Sequence, residues 1–175
     1  MSDVGKLKPG EEINVAIRQA CQRSFGVLDS SFLCRSVSTL EPRLPLCVGV
    51  ETPLEEVLAL LKRERIGCVL VTGENGRLAG IFSERDLVLK VCPELESKLP
   101  RPVRDFMTAD PVAEAPDASI AWALTLMSHG GFRHLPIVDG TGIPVGIISV
   151  KDVVDAIVAS SIDDLLGFEG ELPLP

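Results

Sequence analysis

The sequence predicts an α/β protein built from two tandem copies of one β-α-β-β-α unit. The first observation is a repeated heptapeptide: Gly80-Ile81-Phe82-Ser83-Glu84-Arg85-Asp86 returns as Gly146-Ile147-Ile148-Ser149-Val150-Lys151-Asp152, with serines and aspartates each displaced by 66 residues. The second is phase. Carried back without a gap, the same offset pairs Pro45 with Pro111, Leu54 with Ile120, Leu58 with Leu124, Leu61 with Met127 and Val71 with Ile137. Apolar and turn positions stay in register over that length, which marks an internal duplication. The third is alternation of short apolar runs rich in β-branched residues with stretches of helical period.

In chain order, residues 1–40 form a flank in which Ile13, Ala16, Ile17 and Ala20 recur at helical spacing between Glu11 and Arg23. An early Glu and a late Arg suit the helix dipole. Residues 24–44 carry Ser and Pro and give weak signals. The first repeat, with its linker, covers residues 41–100. It opens with a strand over Leu46–Val50, and Thr52-Pro53-Leu54-Glu55 then reads as a helix start with Thr as N-cap and Pro first. Leu54, Val57, Leu58 and Leu61 give the buried stripe. Strands over Ile66–Val71 and Leu78–Phe82 flank the turn Gly73-Glu74-Asn75-Gly76, and a helix follows from Glu84 to Val91. Pro93 and Pro100-Arg101-Pro102 punctuate the linker.

The second repeat, residues 101–162, copies this order. A short strand near Val112 precedes a helix from Ser119 to Ser128 closed by Gly130-Gly131. Strands over 133–138 and 144–149 flank an Asp-Gly-Thr-Gly turn, and a helix runs to Ser161. Residues 163–175 form an acidic, proline-ended tail, expected to be mobile together with Ile162.

Composition narrows the function classes. With 175 residues the chain can bury a substantial core, and 46% hydrophobic content with six Phe, one Trp and no Tyr makes that core aliphatic. A net charge of −8 argues against a nucleic-acid surface, which needs clustered Lys and Arg. No apolar run approaches a membrane span, and the start lacks a signal-peptide stretch, so a cytoplasmic protein is expected. Five cysteines, at 21, 34, 47, 68 and 92, fit neither a disulfide framework nor a zinc site. Cys47 and Cys68 fall in apolar strand patterns, where a thiol acts as a small hydrophobe. His129 and His134 have no companions at metal spacing. No Gly-x-Ser-x-Gly elbow, phosphate loop or paired carboxylates point to catalysis, so no enzyme activity is expected.

The duplicated Ser-x-x-Asp is the chemical signal. Each Ser ends a strand where a helix begins, placing a hydroxyl and a carboxylate at one mouth that could grip a polyol. The same residues are also what a helix start needs for itself: an N-cap and a first-turn acid.

The repeat, Asp105-Phe106-Met107-Thr108, Arg133-His134-Leu135-Pro136 and the paired Ser-x-x-Asp together resemble the CBS domain family over about residues 41–160. Two such repeats form a Bateman module. The resemblance implies a pseudo-twofold pair with two clefts between the repeats, where many relatives bind adenosine nucleotides and regulate an attached or partner protein. It also implies a disc-shaped homodimer through the CBS helices, with AMP, ADP or ATP as ligand and no required cofactor.

In this reading Asp86 and Asp152 accept from both ribose hydroxyls. Ser83 and Ser149 favour phosphate, and Arg85, Arg133, His134 and Lys151 supply positive charge. Arg133, His134 and Lys151 have Gly67, Cys68 and Arg85 as first-repeat equivalents, so the cleft at Asp86 is expected to recruit three basic residues and the cleft at Asp152 one. Val48, Val50 and Ile66, with their copies, are expected to form the base slot. The readings are thus an energy-state sensor, a ligand-free interaction scaffold, an S-adenosylmethionine or NAD binder, and, last, a weak enzyme.

Overall fold

The computed structural model describes residues 30–166. The helix expected between Glu11 and Arg23 and the end of the acidic tail lie outside them. A short helix α1 (Ser30–Cys34) and a 3-10 turn (Val37–Leu40) lead to strand β1 (Cys47–Gly49). Helix α2 (Leu54–Glu64) and the hairpin β2 (Cys68–Thr72) and β3 (Leu78–Ser83) complete the first sheet unit. After β3 a single α-turn, α3 (Glu84–Asp86), continues as π-helical Leu87–Val91, so the expected helix is present but only its first turn is α. Helix α4 (Leu95–Lys98) and strand β4 (Thr108–Ala109) lie in the linker, followed by α5 (Ile120–Gly130), the hairpin β5 (His134–Val138) and β6 (Pro144–Ser149), and α6 (Val150–Leu166). Helix α6 runs past Ser161, so the first residues expected in a mobile tail belong to it.

The first sheet has the order β1-β2-β3-β4, parallel between β1 and β2 and antiparallel thereafter; β5 and β6 pair antiparallel as a second, two-stranded sheet. The hairpins have one register: Val69 faces Phe82 and Leu135 faces Ile148. No strand forms at Val112. Nearby, Glu114 makes a single parallel bridge to Ile137, and Thr108–Ala109 pairs instead with β3 of the first repeat.

Two cores result. Leu54, Val57, Leu61, Val69, Val71 and Phe82 anchor the first, and Ile120, Ala123, Met127, Leu135, Ile137 and Ile148 the second. Each is closed by a segment that precedes the helix and hairpin of the opposite repeat. Val103 and Phe106, from the opening of the second repeat, are buried in the first core, whereas Val37, from before the first repeat, is buried in the second. The backbone repeats the exchange: Leu54 N–H donates to Arg101 O at 2.9 Å and Ile120 N–H to Arg35 O at 2.9 Å. Full burial of a Val side chain contributes about 1.5–3 kcal/mol, so these crossing segments tie the repeats together.

This exchange corrects the expected start of α2. Pro53, not Thr52, holds the N-cap position and offers no side-chain bond; the free N–H groups of Leu54 and Glu55 donate to the carbonyls of Arg101 and Leu99. A backbone acceptor from a crossing segment satisfies orphan donors as well as a hydroxyl does. In α5 a side chain does cap the helix, with Ser119 Oγ accepting from Trp122 N–H at 3.2 Å. Gly80 and Gly146 allow the close approach of the crossing segments, because a Cβ there would run into Met107 or Pro42.

The four described cysteines are free thiols. Cys68 is buried and its thiol is pushed up to about 12 by burial and by Glu84. Cys47 is exposed on β1, against the expectation of a core position. Among the described residues no helix is long and apolar enough to cross a membrane, and no group of His, Cys, Asp and Glu could hold a metal ion.

Candidate functional site

Both Ser-x-x-Asp motifs form the same closed turn. Ser83 ends β3 in extended conformation, and its N–H and Oγ–H both donate to Asp86 Oδ2, at 2.9 and 2.6 Å. Ser149 does the same to Asp152 Oδ2, at 2.7 Å for each bond. In return each Ser Oγ accepts the aspartate N–H, at 3.4 and 3.3 Å. The local sequence dictates this, since a hydroxyl and a carboxylate three residues apart satisfy each other's backbone at a helix start.

Each motif stands at the mouth of a cleft lined by both repeats. The cleft at Asp152 has a volume of about 460 Å³ and the cleft at Asp86 about 430 Å³, within the range of small-molecule sites. Gly67, Glu84, Arg133 and His134 line both and form the wall between them. Pro45, Leu46 and Ile66 give the Asp152 cleft an apolar side; Pro111, Val112 and Phe132, their equivalents 66 residues on, do so at Asp86.

The charges are unequal, in the direction opposite to the sequence expectation. Lys151 lines its own Asp152 cleft, not the Asp86 cleft, because it follows the strand–helix junction beside Asp152. Arg43 and Arg65 join it there. With the shared Arg133, four permanently charged cations line that cleft beside Glu64, Glu84 and Asp152, although the Lys151 ammonium is itself paired with Asp155. The Asp86 cleft has Arg85 and Arg133 facing Glu84, Asp86 and Asp110. Arg85 is tied down there, donating to Gly131 O at 2.7 Å.

The carboxylates also differ. Asp86 is 7% exposed, and its second oxygen, Oδ1, accepts from Thr108 Oγ at 3.1 Å and from Lys90 Nζ at 2.6 Å. Burial pushes its carboxyl up, but bonds from Lys90 and Ser83 and the charge of Lys90 outweigh it, and the pKa lies below the ordinary value. Among the described residues, Asp152 Oδ1 meets only Arg43 Nη2, at 3.4 Å, from a side chain that is itself 72% exposed. His134, half-buried in the shared wall, is held below its ordinary pKa by burial and then by Arg133, against Asp152 and Glu84.

Of the expected base slot only Ile66 lines a cleft. Val48 and Val50 pack against the first core. The slot is supplied instead by the segment before β1, which crosses to β6 through the Arg43–Ile147 bridge. Arg43, Arg65, Pro45, Leu46, Phe132 and Thr108 were not singled out from the sequence; the in-phase pair Pro45 and Pro111 is the signal that could have found the apolar sides.

Two repeats that share a helix-hairpin-helix order, exchange closing segments and frame paired clefts, each with a Ser-x-x-Asp mouth, define a tandem-repeat α/β protein. The sequence matches the CBS domain family at residues 38–92 and 103–159, and the chain belongs to that family. An uncharacterized protein of Methanopyrus kandleri is 33% identical over 143 residues, covering 79% of this chain and 73% of its own length. The crystal structure of a CBS-domain containing protein from Agrobacterium tumefaciens is 34% identical with a TM-score of 0.64, covering 70% of this chain and 98% of that one. A CBS domain protein from Pyrobaculum aerophilum complexed with AMP is 25% identical with a TM-score of 0.64, over 71% of this chain and 96% of that one.

Proposed function

We propose that the chain is a regulatory module that binds an adenosine nucleotide, AMP or ATP, in the Asp152 cleft. The observation that carries this reading is the weakly held Oδ1 of Asp152, with a single long contact from an exposed arginine, in a cleft that also offers Arg65 and Arg133. A ribose diol donates two hydrogen bonds to one ionised carboxylate, and such charge-assisted bonds are the strong ones. The cations suit a phosphate, and Pro45, Leu46 and Ile66 suit the apolar faces of a purine. The AMP complex of the Pyrobaculum aerophilum protein supports the same ligand class. The site offers binding chemistry and no catalytic constellation, so the output is a change in stability or partner contact, an energy-state signal read by another protein in the cytoplasm. Val88 and Val154, equivalent positions 66 residues apart on the outer faces of the helices after the two motifs, are exposed and support pairing of two copies through those helices.

The test is titration calorimetry with AMP, ADP, ATP, S-adenosylmethionine and NAD, backed by thermal melts. One site at about 100 times the Kd adds roughly 2.7 kcal/mol of stability. AMP or ATP is expected to bind, 2′-deoxy-AMP to bind more weakly by about 1.5–3 kcal/mol, and Asp152→Asn to lose binding. Absence of binding by every adenosine ligand at millimolar concentration leaves the scaffold reading. Equal affinity for AMP and its 2′-deoxy form removes the ribose role of Asp152.

A further inference from the structure

We infer that Lys90 acts as a built-in occupant of the ribose-acceptor position in the first repeat, so that the chain binds one nucleotide rather than two. An ionised carboxylate offers about four lone-pair positions. All are taken at Asp86: Ser83 N–H and Oγ–H fill Oδ2, and Lys90 Nζ at 2.6 Å with Thr108 Oγ–H at 3.1 Å fill Oδ1. The Lys90 ammonium is itself anchored, donating to Met107 O at 3.0 Å and lying 3.3 Å from Thr108 Oγ. A diol could reach Asp86 only by displacing an ion pair whose carboxylate is buried and whose ammonium is 39% exposed, and no ligand hydroxyl replaces the charge of an ammonium.

The second repeat keeps the serine bonds but, among the described residues, lacks the Lys90 and Thr108 contacts. The residue 66 positions after Lys90 is Ala156, and among the described residues Asp152 Oδ1 meets only the long, exposed contact from Arg43. An exposed guanidinium at 3.4 Å is beyond a normal charge-assisted distance and yields to a ligand at little cost. The duplication therefore produces one open and one self-satisfied acceptor from the same Ser-x-x-Asp. This assignment rests on the nucleotide reading of the Asp152 cleft.

The test is the stoichiometry of AMP binding to the full chain by calorimetry, with thermal melts to confirm folding. Wild type is expected to bind one AMP per chain. Lys90→Ala frees Asp86 and is expected to bind a second. The double variant Lys90→Ala, Asp152→Asn is expected to bind one where Asp152→Asn alone binds none. The reciprocal variant Ala156→Lys installs the ammonium beside Asp152 and is expected to lower AMP affinity at least tenfold. It decides the matter even where loss of Lys90 unfolds the first repeat. Two AMP per wild-type chain, a folded Lys90→Ala with no second site, or undiminished affinity in Ala156→Lys each overturn the role of Lys90 while leaving the nucleotide reading intact. No AMP binding by wild type overturns that reading, and this one with it.

Discussion

The two repeats are alike where they are buried and unlike where they are open. In the cores the 66-residue offset pairs Val57 with Ala123, Val69 with Leu135 and Phe82 with Ile148, and all six side chains are buried. Volume lost at one position is regained at another, and the strand register is unchanged. At the mouths the same offset pairs Gly67 with Arg133, Leu44 with Asp110 and Lys90 with Ala156, so charge is gained or lost outright. A close-packed interior tolerates exchanges of shape among apolar groups but not an unpaired charge. A solvent-facing wall has no such restriction. One fold unit used twice can therefore keep its stability while its two clefts take up different chemistry.

The largest expected effect tests the equality of the cores. Leu54→Ala and Ile120→Ala remove equivalent, fully buried side chains, and each is expected to cost about 2–5 kcal/mol in denaturant unfolding. Values in that range with one cooperative transition mean that the repeats fold as a unit; two separated transitions would break the comparison.

The crossing segments come next. Val37→Ala and Val103→Ala each remove two buried methyl groups, a loss of about 2 kcal/mol by transfer and cavity terms. Hydrogen exchange should place the loosening in the repeat that receives the segment: Val37→Ala in residues 120–153, and Val103→Ala in residues 54–91. Loosening confined to each segment's own neighbours in sequence would contradict the exchange.

A smaller effect separates the two aspartates. Asp86→Asn strips the charged bonds with Lys90 and Ser83 and should cost about 1.5–3 kcal/mol at neutral pH. Asp152→Asn, whose one ion pair among the described residues is to an exposed arginine, should cost less than about 1 kcal/mol. The pH dependence has a definite sign. The folded-state pKa of Asp86 is depressed, so its contribution is complete above the ordinary carboxyl value of about 3.9 and is lost as pH falls through the lower folded value. Wild type and Asp86→Asn should therefore converge in stability in acid. A gap that widens on acidification would mean that the Lys90 pair does not hold the charged form.

Much of the architecture was legible because it is local and written twice. Hairpins, helix stripes and Ser-x-x-Asp turns depend on residues a few positions apart, and a second copy in phase separates signal from chance. The family followed from the same motifs. The cation assignment was not legible in this way. Lys151 was expected to reach across to Asp86 and instead stays beside Asp152, and Val48 and Val50 went to the core while Pro45 and Leu46 formed the apolar side.

What the sequence determined alone is the repeat, its two hairpins and the helices before them, the apolar positions of both cores and the closed Ser–Asp turns, all of them set by periodicity and by contacts within a few residues. What only the tertiary structure decided is which segment closes which repeat, and hence that Arg43 meets Asp152, that Thr108 joins Lys90, itself only four residues on from Asp86, at Asp86 Oδ1, and that two equal motifs differ in the donors at that oxygen. The Thr108 and Arg43 contacts join elements 22 and 109 residues apart in sequence. Chain crossing and the competition of donors for a carboxylate's few lone pairs settle such contacts, and neither leaves a mark in local spacing.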